Sequence, residues 1–158
     1  MVVFPKLVRE NLETMIAIAG SPERLRPHCK THKMREVTEI ELELGTTRHK
    51  AATFAEAEML AETGVRDIVL AYSLVGPNID RAVAFRQQYP DVTFAVTGDD
   101  ADALRNLSDA MVAAKTTIEV LLDIDTGQHR TGLPPGDAAA KLYRLLDDLP
   151  GLVPGGFH

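Results

Sequence analysis

Cysteine occurs once in this chain, at Cys29, and tryptophan does not occur. A single thiol excludes an internal disulfide framework and fits a reducing compartment, so the cytoplasm is the expected address. No apolar run approaches the ~20 residues that a membrane-spanning helix requires. The opening Met1-Val2-Val3-Phe4-Pro5 has no basic segment ahead of an apolar core, so no secretory signal is expected there. No Gly-x-Gly-x-x-Gly follows a predicted strand, and the dinucleotide-binding fingerprint is therefore missing. Low-complexity stretches are missing too. What is present is an ordinary soluble composition, 45% hydrophobic and 25% charged over 158 residues, with a net charge of -6. Such a length buries one proper core, which makes a single domain the default.

Against this plain background, Arg26-Pro27-His28-Cys29-Lys30-Thr31-His32-Lys33 concentrates titratable and nucleophilic side chains. Read as extended, the run puts His28, Lys30 and His32 on one face and Cys29 and Thr31 on the other. A lysine near a strand end is ordinarily a solvated charge. Two flanking imidazoles shift that reading. Burial and neighbouring cations both lower a lysine's pKa and free its amine to attack a carbonyl. Lys30 is therefore the candidate Schiff-base lysine, and pyridoxal phosphate is the leading carbonyl partner. From Ser21 to Arg35 five cations stand against one anion, Glu23. A basic island in an acidic chain suits an anionic small molecule better than a nucleic acid. A zinc site built from His28, Cys29 and His32 is the weaker reading. Pro27 argues for an extended start, which would hold the two histidines roughly 13 Å apart.

Short β-type runs alternate with amphipathic helical stretches along the rest of the chain. Val8, Leu12, Met15, Ile16 and Ala19 recur at helical spacing, and Gly20 supplies a stop. Leu25 to Thr31 reads as a strand, followed by a helix through Val37, Ile40 and Leu44. A short strand near Ala51 leads to Thr53 and Glu56, which have capping-box spacing for a helix reaching Gly64. Asp67 to Tyr72 is a buried strand, and Pro77 opens the next helix, closed by Pro90. Val92 to Val96, Ile118 to Ile124 and Leu152 to Phe157 are further strands. Helices carrying Leu104, Leu107 and Met111, and then Leu142, Leu145, Leu146 and Leu149, lie between them. Repeated βα units call for parallel strands with right-handed crossovers. Either an open doubly wound sheet or a (β/α) barrel satisfies that pattern. Lys30 and the segment 125–130 both fall at strand C-terminal ends, the rim on which barrel enzymes place their chemistry. A complete barrel takes ~250 residues and eight strands, of which about six are expected here.

The second unusual segment is Asp123-Ile124-Asp125-Thr126-Gly127-Gln128-His129-Arg130-Thr131-Gly132. A turn and helix entry would explain its glycines and Pro134-Pro135. Turn chemistry does not require Arg130, whose guanidinium suits a phenolate or carboxylate oxygen. With both segments in hand, the chain resembles the fold-type III pyridoxal-phosphate proteins that share the alanine racemase N-terminal barrel. Within them it is most similar to the D-threonine aldolase and D-serine dehydratase branch. The residues from Arg26 to Lys33, Ala52-Thr53-Phe54-Ala55-Glu56-Ala57-Glu58, Asp67 to Tyr72, the 125–132 segment and Gly156-Phe157-His158 carry the resemblance.

The resemblance implies an α/β fold, a partial (β/α)8 barrel of the alanine racemase type spanning residues 1–158, without the family's C-terminal β domain. It implies a pyridoxal 5'-phosphate lyase acting on D-3-hydroxy amino acids, with Lys30 and not Lys33 as the catalytic, cofactor-binding lysine. Arg130 falls on the arginine that contacts the phenolic oxygen, His158 near positions at the next strand end that approach the ring, and His28 and His32 on motif positions, one of which is expected to shape the pocket. A divalent metal, zinc or manganese, belongs to the full-length parent, whose ligands are not in this chain. A small-molecule D-amino acid is the expected partner, with no nucleic acid, no membrane and a homodimer of the full-length parent. The residues by themselves are expected to be inactive. A non-catalytic pyridoxal-phosphate carrier and an amino-acid racemase are the alternatives.

Overall fold

A computed structural model describes residues 2–158. Helices and strands alternate along the chain, as the spacing of apolar residues requires, and five strands form one sheet in the order β1-β2-β3-β4-β5. Sequential strands lie side by side, the arrangement that βα repeats produce. No helix among the described residues is long and apolar enough to cross a membrane. The chain divides into two compact units, one of residues up to 68 with 91–93, the other of 69–90 with 94–158.

The first unit holds α1 (Pro5–Ala19), α2 (Arg35–Glu43), β1 (Arg48–Ala51) and α3 (Phe54–Thr63), and β2 (Asp67–Ser73) begins in it. Pro5 sits in the first turn of α1, where its missing N–H leaves no intrahelical bond unmade. Along β1 the side chains alternate, Arg48 exposed and His49 buried, then Lys50 half-buried and Ala51 buried. His49 therefore points inward, where its Nε2 lies 2.9 Å from the buried Glu41 carboxylate. Arg26 makes a two-pronged bond to Asp67, at 2.7 and 3.1 Å. The planar guanidinium fork matches a carboxylate in this way.

The strand expected over Leu25 to Thr31 does not form. The backbone stays extended only as far as His28, where it makes one parallel bridge to Lys50, and Lys50 donates its N–H to the Pro27 carbonyl at 2.9 Å. At Cys29 it turns into a short 3-10 segment, Cys29–Thr31. Five strands stand where six were expected, for this reason.

The second unit holds the remainder of β2, α4 (Pro77–Gln88), most of β3 (Thr93–Gly98), α5 (Ala101–Ala113), β4 (Ile118–Leu122), α6 (Asp137–Asp148) and β5 (Leu152–Phe157). β3, β4 and β5 are parallel, with Val96 beside Val120 and Ile118 beside Leu152. Its core pairs Phe85 with Phe94, ring centroids 4.2 Å apart and planes tilted by 35°, and buries Leu104, Met111, Val120 and Leu146. Gly151 lets β5 pass close to α5. A Cβ there would lie 2.2 Å from the Ser108 carbonyl oxygen, while the Gly151 N–H donates to Ser108 Oγ at 3.0 Å. The strand expected to reach Ile124 ends at Leu122, and Ile124 instead makes an isolated parallel bridge to Leu133.

Candidate functional site

In the first unit the chemistry gathers on the turn after His28. The side chain of His28 caps it, Nδ1 accepting the Lys30 N–H at 3.3 Å. His32 repeats the device, Nδ1 accepting the Met34 N–H at 3.1 Å. Backbone bonds from His32 and Lys33 to the Cys29 carbonyl, at 3.1 and 2.7 Å, close the turn, and Lys33 takes a left-handed φ of 51°. The two imidazoles thus serve the backbone and do not line one face with the lysine, as the extended reading had them. An imidazole nitrogen accepts a hydrogen bond only when unprotonated. For His28 this fits a pKa held below the ordinary value, first by burial and then by the charges of Lys30 and Lys50.

Glu56, one turn into α3 and only 4% exposed, fastens this turn. Its carboxylate accepts the Ala52 N–H at 2.7 Å and the Lys33 ammonium at 2.5 Å, and lies 3.7 Å from the Cys29 thiol. Thr53 caps the helix by accepting the Glu56 N–H at 3.2 Å. The reciprocal bond of a capping box goes to Ala52, one residue earlier than the motif places it. Burial raises the Glu56 carboxyl, but the Lys33 bond, the Ala52 amide and the Lys33 charge outweigh it and hold it below the usual range. The same bond, with the carboxylate's charge, raises the Lys33 ammonium. Cys29 is fully buried, and burial followed by the Glu56 charge pushes its thiol up to about 12.

His28, Cys29 and Glu56 bring their ligand atoms within 4.8 Å of one another. The cluster does not suit a metal. His28 Nδ1 already accepts the Lys30 amide, and the Glu56 carboxylate already serves an ammonium and an amide. His32 adds nothing to the set, its Nδ1 being committed to Met34.

Lys30 behaves differently from Lys33. Its side chain is exposed, not buried as the extended reading required, and its amine makes no hydrogen bond or ion pair among the described residues. Of the two lysines on this turn, Lys33 is neutralised by Glu56 and Lys30 stands free.

In the second unit the segment 123–133 is tied at both ends. Asp125 N–H donates to the Leu133 carbonyl at 2.9 Å, and Leu133 N–H to the Asp123 carbonyl at 3.0 Å. Between these bonds Asp125 acts as a hub. Its Oδ1 accepts the Gly127 and His129 amides, both at 2.9 Å, and its Oδ2 lies 2.8 Å from His129 Nδ1. Those amide bonds, His129's first, hold its carboxyl below the usual carboxylate range. His129 takes a left-handed φ of 54°, and the following Arg130 is carried outward, exposed and without a partner among the described residues. Gly132, at φ 88°, is required: a Cβ there would lie 2.9 Å from the backbone of both Asp123 and Asp125.

His158 lies beside this loop, exchanging backbone bonds with Leu122 and Ile124 at 2.9 and 2.8 Å. Its Nδ1 is 2.7 Å from Oδ1 of the buried Asp123. An ionised carboxylate only accepts, so Nδ1 carries the hydrogen and the ring is held in one orientation. The sequence reading missed the parts played by Glu56 and Asp123. Each had a signal: Glu56 shares the buried face of α3 with Leu60, and Asp123 ends an apolar strand.

Comparison with known proteins gives this arrangement its context. The model of the alanine racemase N-terminal domain matches residues 5–158. The chain belongs to that family. It is 34% identical over 144 residues to a D-threonine aldolase from Arthrobacter sp., covering 90% of this chain and 37% of that protein. Identity is 28% over 132 residues to a 3-hydroxy-D-aspartate aldolase from Paracoccus denitrificans, covering 82% and 34%. The solved D-threonine aldolase from Filomicrobium marinum superposes with a TM-score of 0.84 at 33% identity, over 95% of this chain and 40% of that one. The family's barrel is thus the fold of which this sheet is a part, and the chain spans between a third and two fifths of the relatives' lengths.

Proposed function

We propose that this chain is the cofactor-anchoring part of a pyridoxal-phosphate lyase that acts on D-3-hydroxy amino acids, with Lys30 as the anchor. The observation that carries the reading is the contrast between two amines three residues apart. Lys33 is bound to Glu56 with its ammonium form favoured, while Lys30 is exposed and unpaired. A nucleophilic amine must shed its proton, and the Glu56 bond favours the protonated form of Lys33. Taken one by one, the side chains suit the cofactor's groups: in the first unit an amine for its aldehyde, and in the second a guanidinium for an anionic oxygen and an imidazole oriented by a carboxylate. When bound, pyridoxal phosphate supplies an electron sink for the carbanion left when a bond at the substrate's α-carbon breaks.

The chain's own residues then divide the work. His28, neutral and fixed by the Lys30 amide, holds the turn that presents the amine. Glu56 anchors the same turn, its carboxylate held by the Lys33 ammonium and the Ala52 amide. Arg130 offers an unpaired guanidinium, five donors in a fixed fork, to the phenolic oxygen. His158, its ring oriented by Asp123, would help to hold the cofactor. The reading is supported by two aldolases of D-3-hydroxy amino acids among the relatives. Because the chain spans 37% of the Arthrobacter aldolase, turnover is expected of a longer protein and not of these residues alone.

Borohydride reduction of the chain after incubation with pyridoxal phosphate, followed by peptide mass mapping, tests the anchor. The label is expected on Lys30. Labelling on Lys33, or none on either lysine, overturns the assignment. Racemisation of D-amino acids without cleavage, in a parent containing this segment, would move the reaction to the racemase alternative.

A further inference from the structure

We infer that Asp99 is a positioning residue for Arg130, an assignment that rests on the cofactor reading above and deepens it. Two aspartates follow β3, and they do different jobs. Asp100 caps α5, its Oδ1 accepting the amides of Asp102 and Ala103 at 3.0 and 2.8 Å. Asp99 is not needed for that cap. Its Oδ1 instead accepts the Ser73 hydroxyl at 2.7 Å, and its Oδ2 accepts the Gly132 N–H at 3.0 Å. One carboxylate therefore joins the C-terminal ends of β2 and β3 to the segment that carries Arg130, two residues before Gly132.

The Asp125 hub sets the inner shape of that segment, and the Leu133 bonds close its base. Neither fixes the backbone between His129 and Gly132, where the guanidinium is launched. The Asp99–Gly132 bond does: it holds the Gly132 amide at 3.0 Å, and a glycine at φ 88° has no side chain of its own to hold that backbone in place. Removing the acceptor frees the Gly132 amide, and Arg130 swings with it. Holding a group in its productive place is worth most when the group is a rigid two-pronged donor.

The test measures the pyridoxal-phosphate dissociation constant of the full chain, with the absorbance of the Lys30-bound cofactor across pH, for D99A, D99N, R130A and D99A/R130A. Thermal unfolding monitors the fold. D99A is expected to weaken binding about tenfold, the loss of one charged hydrogen bond, and to shift the absorbance profile in the direction that R130A shifts it. The double variant should bind no more weakly than R130A, because a positioned group and its support act as one unit. D99N, which keeps an oxygen for Gly132 and gives Ser73 Oγ a donor to accept, should recover most of the affinity. An unchanged constant in D99A, or D99A and R130A effects that add in the double variant, would overturn the inference while leaving the Lys30 anchor intact. Absence of label on Lys30 in the unaltered chain would instead bring down the cofactor reading, and this one with it.

Discussion

Replacing Glu56 by alanine removes a nearly buried carboxylate from three partners at once, and each loss can be weighed. The Ala52 amide, bonded at 2.7 Å, is left without an acceptor in a half-buried place, which costs about 1–3 kcal/mol. The Lys33 pair adds less, because the lysine side chain is 60% exposed and solvent screens it. The Cys29 thiol, a weak donor at 3.7 Å, contributes a fraction of that. The expected loss for E56A is about 1–3 kcal/mol, dominated by the amide, or roughly 2–12 °C in Tm for a chain of this size. K33M removes the same ion pair but keeps the Ala52 amide bond, so it should destabilise the chain less than E56A. The assay is thermal and urea unfolding of the two variants beside the unaltered chain. Borohydride labelling of Lys30 should fall in E56A and persist in K33M, since the turn keeps its amide anchor in the second. Equal destabilisation by the two substitutions would refute the reasoning, for it would mean that the ion pair, and not the buried amide bond, holds the turn.

Gly132→Ala forces a side chain into the left-handed region and against backbone at 2.9 Å; a destabilisation of at least about 2 kcal/mol is expected, and urea unfolding within 0.5 kcal/mol of the unaltered chain, roughly the scatter of surface substitutions, would contradict it. The His28 ring, whose pKa is lowered first by burial, should titrate below the ~6.5 of a free imidazole. Its stabilisation of the turn is complete above that unfolded value and lost as pH falls through the lower folded one; an NMR titration of the ring with a midpoint at or above ~6.5 would be the opposite result. Glu56 carries the same sign at lower pH: its stabilisation is present above ~4.3 and disappears as acid protonates the folded carboxyl, so the stability gap between the unaltered chain and E56A should close on acidification. In D123A, His158 loses a bond to a charged partner, worth about 1.5–3 kcal/mol, and 15N spectra of the imidazole should show mixed tautomers where the unaltered ring shows one.

Spacing along the chain alone determines a good deal of this protein. Apolar residues at helical intervals in α1, α5 and α6, and at strand intervals in β4, are read without knowing any distant partner, because each element's periodicity follows from its own geometry. The Arg26 to Lys33 and 125–132 segments stand out for the same reason, as clusters of chemistry where local structure does not call for it. Which lysine is free was decided elsewhere. Glu56, 23 residues beyond Lys33, neutralises one amine and leaves the other, and only the packing of α3 beside the turn reveals that choice. The turn at Cys29 is likewise a tertiary result: the imidazoles that look like pocket walls in an extended run become caps once the backbone bends. Asp99 and Asp123 gained their roles from partners 33 and 35 residues further along. A side chain's hydrogen-bond partner at such separations is set by how strands and helices stack, and residue spacing does not encode that.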